Sequence, residues 1–179
     1  GGNLSNLPKE IGEMTNLSLI RIVGHSFLEI PKEMGKLVNL RSLSLLDGEI
    51  MSIPKEVCDL PNLEILDLDN NLISEIPTEI GGLKNLHELR VTRNKLKSIP
   101  SEIWELINLK HLDLSDNDLE SLPSEVNNLI NLEELSCDMD YFALRKTLSD
   151  ELNERLDEAH RRRVQSITAF RREGKPIIL

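Results

Sequence analysis

Six of the eight prolines stand 23 residues apart without exception: Pro8, Pro31, Pro54, Pro77, Pro100 and Pro123. Each follows a Leu or Ile and is followed two positions on by a Glu, from Glu10 to Glu125. Nine positions after each proline comes a Leu preceded by Asn, from Asn16-Leu17 to Asn131-Leu132. Four linked columns in register over six copies mark a repeat array. In such an array one unit cannot bury its apolar face alone, and stacked neighbours build a continuous core.

The clearest unit runs from Asn108 to Pro123, with Leu109, Leu112, Leu114, Asn117, Leu119 and Leu122 at the positions LxxLxLxxNxLxxL. The Leu-x-Leu segment has period 2 and predicts a short strand with its leucines inward. The Pro-x-Glu-Ile-x-x-Leu return is too short for a long helix and predicts loops or helical turns on the convex side. Over residues 3–142 this pattern resembles a leucine-rich repeat of the 23-residue kind. It is similar to intracellular repeat proteins of the Ras-suppressor and Scribble type, and to bacterial proteins rich in such repeats. The resemblance implies an α/β leucine-rich repeat solenoid with a parallel strand ladder on its concave face. It also implies protein–protein recognition on that face, with no chemistry of its own.

In the family the Asn column satisfies backbone groups where the chain leaves the strand. Asn71, Asn94 and Asn117 match it, but His25, Gly48 and Asp140 hold the column elsewhere. Gly48 offers no side-chain bond. Local irregularity is therefore expected around 24–27 and 47–50, with a water in place of the amide.

The charge pattern changes near residue 142. Residues 1–142 carry 12 Lys/Arg against 25 Asp/Glu, a net charge of −13; residues 143–179 carry 9 against 6, a net +3. We therefore read 1–142 as the solenoid, about five full repeats with partial ends, and 143–179 as a helical cap for its open end. Leu144, Leu148, Leu152 and Leu156 recur every four residues, and Ala159, Val164, Ile167 and Phe170 continue at helical spacing. Ser149 suits an N-cap, followed by Asp150 and Glu151, while Gly174 and Pro176 read as the stop.

Alternation with the inward leucines predicts which side chains face the concave surface. At the N-terminal end Leu19, Val23, Leu46 and Ile65 stand where a merely solvated sheet would carry polar groups, with Arg21 among them. An apolar patch bordered by charge is an interaction-site signature. Further along, Asp67, Arg90 and Asp113 share one column about 4.8 Å apart, which predicts a surface ion-pair ladder or an Arg offered to a partner carboxylate. His111 falls between Glu88 and Glu134. Trp104 replaces the Gly found at Gly12, Gly35 and Gly81, either covering its neighbours or anchoring a partner on the convex face. Arg161-Arg162-Arg163 reads as a solvated helix face.

Several function classes fall away. A formal charge of −10 argues against tracking of nucleic-acid phosphates, and no apolar run approaches the ~18 residues of a membrane span. There is no GxxxxGK[ST], GxGxxG or HExxH motif, and the four His and two Cys, Cys58 and Cys137, show no metal-ligand spacing. The acids of the concave face do not converge as Ca²⁺ requires. No cofactor, metal or catalytic residue is expected, and Cys58 and Cys137 read as small buried or half-buried groups. The expected partner is a protein, with a monomer favoured and a homodimer as the alternative. A third reading is the recognition part of a larger bacterial effector or signalling protein. Extracellular members of the family usually end in Cys-rich caps; a cytoplasmic home is expected here, although the start at Gly1-Gly2 without Met leaves room upstream for a signal peptide.

Overall fold

The computed structural model describes the backbone of residues 4–139 and 141–172, and the side chains of 4–139 and 143–162. Six short strands form one parallel sheet in sequence order: β1 (Leu19–Val23), β2 (Ser42–Leu46), β3 (Ile65–Asp67), β4 (Glu88–Arg90), β5 (His111–Asp113) and β6 (Glu134–Ser136). Every pairing is offset by one repeat, so that Leu43 lies beside Leu66, Leu66 beside Leu89 and Leu89 beside Leu112. The 23-residue period thus sets the register directly, and the leucine-rich repeat solenoid expected from it is the fold observed.

The return stretches are single helical turns. One is an α-turn, α1 (Lys55–Cys58); the other five are 3-10 turns, at Lys9–Glu13, Lys32–Lys36, Thr78–Gly82, Ser101–Glu105 and Ser124–Asn128. The proline before each turn is extended, as at Pro31 with φ −64° and ψ 134°, and has no N–H to leave unpaired where the turn begins. Its carbonyl closes the turn, as in the Met34 N–H bond to Pro31 at 2.9 Å. Between sheet and turns runs a column of aliphatic side chains, Leu40, Leu63, Leu86, Leu109 and Leu132 among them, all out of contact with water.

Trp104 belongs to this interior. It is 2% exposed, so the structure removes the convex-face anchor and leaves the covering role. Glycine in the same column serves close packing: a Cβ on Gly35 would stand 2.6 Å from the Glu56 carbonyl.

The asparagine before each Leu has a role that the spacing alone did not disclose. The side-chain amides of Asn39, Asn62, Asn85, Asn108 and Asn131 each donate to a carbonyl 24 residues back, at 2.7–2.9 Å. This ladder runs down the side where the chain enters the strands and spans all five joints between strands.

Among the described residues the C-terminal segment forms two helices rather than one continuous helix. α2 (Tyr141–Thr147) ends before Leu148, and α3 (Asp150–Arg172) begins after Ser149. The reason lies in Asn127, whose side-chain oxygen accepts from the Ser149 N–H at 2.6 Å while its side-chain amide donates to the Thr147 carbonyl at 3.1 Å. Ser149 caps α3 as expected, its hydroxyl accepting from the Leu152 N–H at 3.2 Å. Leu148 and Leu152 are buried against the last repeat. The expectations for Asp140, Arg163, Val164, Ile167, Phe170, Gly174 and Pro176 fall outside the residues or side chains described.

Candidate functional site

The concave face has three zones, ordered by the strands that carry them. On β1 to β3, Leu19 is 60% exposed and Val23 53%, while Leu46 and Ile65 are half-buried beside them. Arg21, between the two exposed side chains of β1, is exposed as well. Leu19, Val23, Leu46 and Ile65 therefore lie together on one surface, set by the β1–β2–β3 register.

The middle zone is polar but does not form the ladder that the column predicts. Arg90 turns to Glu88 of its own strand at 2.9 Å, not to Asp67 or Asp113. The aspartates are engaged by backbone instead: Asp67 accepts from the Asp69 N–H at 3.3 Å and Asp113 from the Ser115 N–H at 3.1 Å. An i to i+2 bond of this kind stabilises the chain's exit from the strand, and it competes with cross-strand pairing for the same carboxylate. Burial raises the Asp67 and Asp69 carboxyls above their usual range. For Asp67 the neighbouring Asp69 charge adds to this, while the backbone bond and Arg90 oppose it. For Asp69 the bonds from Thr92 are the main opposition.

The third zone is a cleft of about 470 Å³ where α3 passes β4 to β6. Glu88, Arg90, His111 and Glu134 line its sheet side, and Leu156 and His160 its helix side. His111 Nδ1 lies 3.2 Å from Glu134 Oε2, while Glu88, its neighbour on the other strand, is paired with Arg90. Arg145 of α2 reaches Asn153 at 2.9 Å and pairs with Asp157, which ties the two helices together near this cleft. Arg161 and Arg162 are exposed, Arg162 pairing with Glu158 one turn away.

Where the chain leaves the strands, the Asn column works as expected in three repeats. The Asn94 amide donates to Leu68 at 3.0 Å, Val91 at 3.0 Å and Thr92 at 3.2 Å, and its oxygen accepts from the Ile73 N–H at 3.0 Å. Asn71 and Asn117 repeat this pattern one unit up and down the array. At the break, His25 supplies the filling that was expected of a water. Its ring points toward the second repeat and occupies the space beside Gly48, where an added Cβ would stand 1.9 Å from the imidazole. It stacks on Phe27 at 3.7 Å and 7° and is 4% exposed. Among the described residues neither ring nitrogen has a hydrogen-bond partner of ordinary geometry. The occurrence of His25 and Gly48 in one column was the sequence signal for this pairing of a large and an absent side chain.

No arrangement for catalysis assembles among the described residues. No three His, Cys, Asp or Glu side chains group as metal ligands there. Cys58 is buried and its thiol is pushed up to about 12 by burial and the acids Glu79, Asp59 and Glu56; half-buried Cys137 is raised too, chiefly by burial. A thiol so displaced is a poor nucleophile near neutrality. Among the described residues no helix is long and apolar enough to cross a membrane.

The comparisons agree with this geometry. The model of the leucine-rich repeat region matches residues 32–96 and 55–154. A leucine-rich repeat protein of Leptospira interrogans is 37% identical with a TM-score of 0.74, over 88% of this chain and 38% of that one. Internalin C2 of Listeria monocytogenes is 27% identical with a TM-score of 0.67, over 75% and 57%. The Arabidopsis receptor kinase HAESA, solved with the peptide hormone IDA and the co-receptor SERK1, is 29% identical with a TM-score of 0.66, over 73% and 24%. The chain thus spans well under half of the Leptospira protein's length. No curated protein sequence matches it.

Proposed function

Because the chain belongs to the leucine-rich repeat family, we propose that it is a non-catalytic recognition module that holds a protein partner on its concave face. One observation carries the reading: Leu19 and Val23 stand more than half exposed beside Leu46 and Ile65, on strands whose neighbours carry polar groups. Burying such a patch yields about 25 cal/mol per Å² of apolar area, and Arg21 within it can fix orientation through a partner carboxylate. Arg90, His111 and Asp113 continue the same surface as its polar flank, whereas Asp67, placed in that column by the sequence, is buried and offers a partner little. The peptide-bound receptor among the similar structures lends support, since it shares this fold at 29% identity. A protein is the partner class we favour over nucleic acid or membrane, given the charge of −10. Two unpaired cysteines favour a reducing, cytoplasmic setting.

The test is affinity capture with the native chain beside a Leu19→Arg/Val23→Arg variant, whose exposed positions leave the core untouched. A protein held by the native chain and lost from the variant supports the reading; equal retention by both sinks it. Self-association through the same patch is the second reading. Light scattering would then show a native mass that rises with concentration and a variant mass that does not.

A further inference from the structure

We propose that the joint between the first and second repeats is an acid-sensitive latch, closed by a neutral His25 ring seated against Gly48 and opened when that ring takes up a proton. At the joints downstream, an asparagine clasps the repeat before it. Asn71 donates to the Leu45 carbonyl at 2.8 Å and accepts from the Ile50 N–H at 3.1 Å. One repeat earlier, the equivalent groups are the Ile22 carbonyl and the Phe27 N–H, and Gly48 has no side chain to reach either.

The latch replaces those two bonds with packing. The imidazole lies flat on Phe27 and fills the space that an asparagine would take. Both nitrogens are shut away from water, and among the described residues neither has a hydrogen-bond partner of ordinary geometry. A neutral ring tolerates this; an imidazolium needs two acceptors and its hydration. The charged groups facing the ring are Glu49 and Asp47, both on the loop that leaves β2; they and the Phe27 backbone favour the proton, but burial outweighs them and holds His25 below its ordinary 6.5. A base so depressed contributes stability that is full above the unfolded pKa and lost as the pH falls through the folded one. Opening frees β1 from β2 without melting the other joints, because repeat arrays are coupled only between neighbours.

The apolar patch straddles this joint, with Leu19 and Val23 on β1 and Leu46 on β2. If that patch is the partner site proposed above, acid separates its halves; this consequence rests on that reading, whereas the latch itself does not.

The test needs no partner, so its failure would leave the recognition reading standing. Amide exchange, corrected for intrinsic rates, is compared at pH 7.5 and 5.5. The reporters are the Gly24 and His25 N–H groups, which bond to Leu46 at 3.0 Å and Asp47 at 3.3 Å. Their protection is expected to fall roughly five- to tenfold, the factor set by an exposed ring titrating near its ordinary value. The matching amides of Asp47 and Asn70, bonded to Asp69 at 3.1 Å and Thr92 at 2.8 Å, are expected to hold. A His25→Asn/Gly48→Asn variant restores the asparagine clasp at a position whose φ lies outside the left-handed region; it should abolish the difference. Equal loss at all joints, or loss that persists in the variant, overturns the latch. As an independent check on the unaltered chain, His25 C–H resonances should titrate below 6.5, and titration at or above it overturns the latch as well.

Discussion

The first joint and the middle joints of the array solve the same problem by opposite means. Around Asn94 four hydrogen bonds satisfy buried backbone from two repeats. Around His25 the same space is filled by a stacked aromatic pair, with no side-chain hydrogen bond from the ring among the described residues. The entering side of the strands does not share this difference, since Asn39 reaches Thr15 at 2.9 Å just as Asn108 reaches Lys84 at 2.8 Å. The strand pairing therefore continues across the first joint. What changes is how firmly the exit side is held, and to which conditions it answers.

Breaking the stronger joint gives the largest effect. Asn94→Ala leaves the Ile73 N–H and the Leu68 carbonyl without their side-chain partner in a buried turn. Each unsatisfied buried group costs about 1–3 kcal/mol, so urea unfolding should show a loss of about 3 kcal/mol or more. His25→Ala, which removes packing but no hydrogen bond, should cost less than half as much. Equal losses would mean that the amide column contributes no more than its volume.

Next in size is the repair. In His25→Asn/Gly48→Asn the new amide can donate to Ile22 and accept from Phe27, two bonds of roughly 0.5–1.5 kcal/mol each. A rise of about 1–2 kcal/mol at pH 7.5 is expected, set against the lost ring stacking. A fall would show that the aromatic filling is the better solution at neutral pH.

These contrasts also show what the sequence could disclose. The strand register was legible because one period governs it: Leu43, Leu66, Leu89 and Leu112 are neighbours in space through being 23 apart in sequence. The face occupied by Leu19, Val23 and Leu46 followed from strand alternation for the same reason. Arg90 was not legible, because its choice of Glu88 over Asp67 depends on carboxylates already engaged by backbone N–H groups. The break between α2 and α3 was hidden too, since Leu144, Leu148 and Leu152 keep helical spacing while Asn127 draws off the Ser149 N–H. Local periodicity cannot register a bond from 22 residues away.

A smaller effect sits one residue before the asparagine column. Gly24, Asp47, Asn70, Arg93 and Asp116 all have φ between 53° and 73°. Gly and Asn enter this left-handed region most readily, whereas a long side chain such as Arg is strained there by about 1 kcal/mol. Arg93 gains little in return: its Nε lies 3.9 Å from Asp116, and both side chains are exposed. Arg93→Asn should therefore stabilise the third joint by about 0.5–1 kcal/mol, read as a higher urea midpoint. An unchanged or lower midpoint would assign Arg93 a contact that offsets its strain.

The smallest effect separates the two regions by sign. Asp67 is buried at the end of β3 and its carboxyl is raised, first by burial and then by Asp69. A raised acid contributes stability that is full below its unfolded pKa and lost as the pH climbs through the folded value. His25 behaves oppositely, its contribution being lost as the pH falls. Asp67→Asn keeps an oxygen able to accept from the Asp69 N–H and removes the buried charge. It should raise the thermal midpoint at pH 7 and leave it unchanged at pH 3, where the native carboxyl is protonated in both states. The same scan on the His25→Asn/Gly48→Asn variant should show its gain growing toward acid, because the native latch is weakest there. If both variants responded in the same direction, the pH behaviour would belong to the net charge of the array and not to these two buried groups.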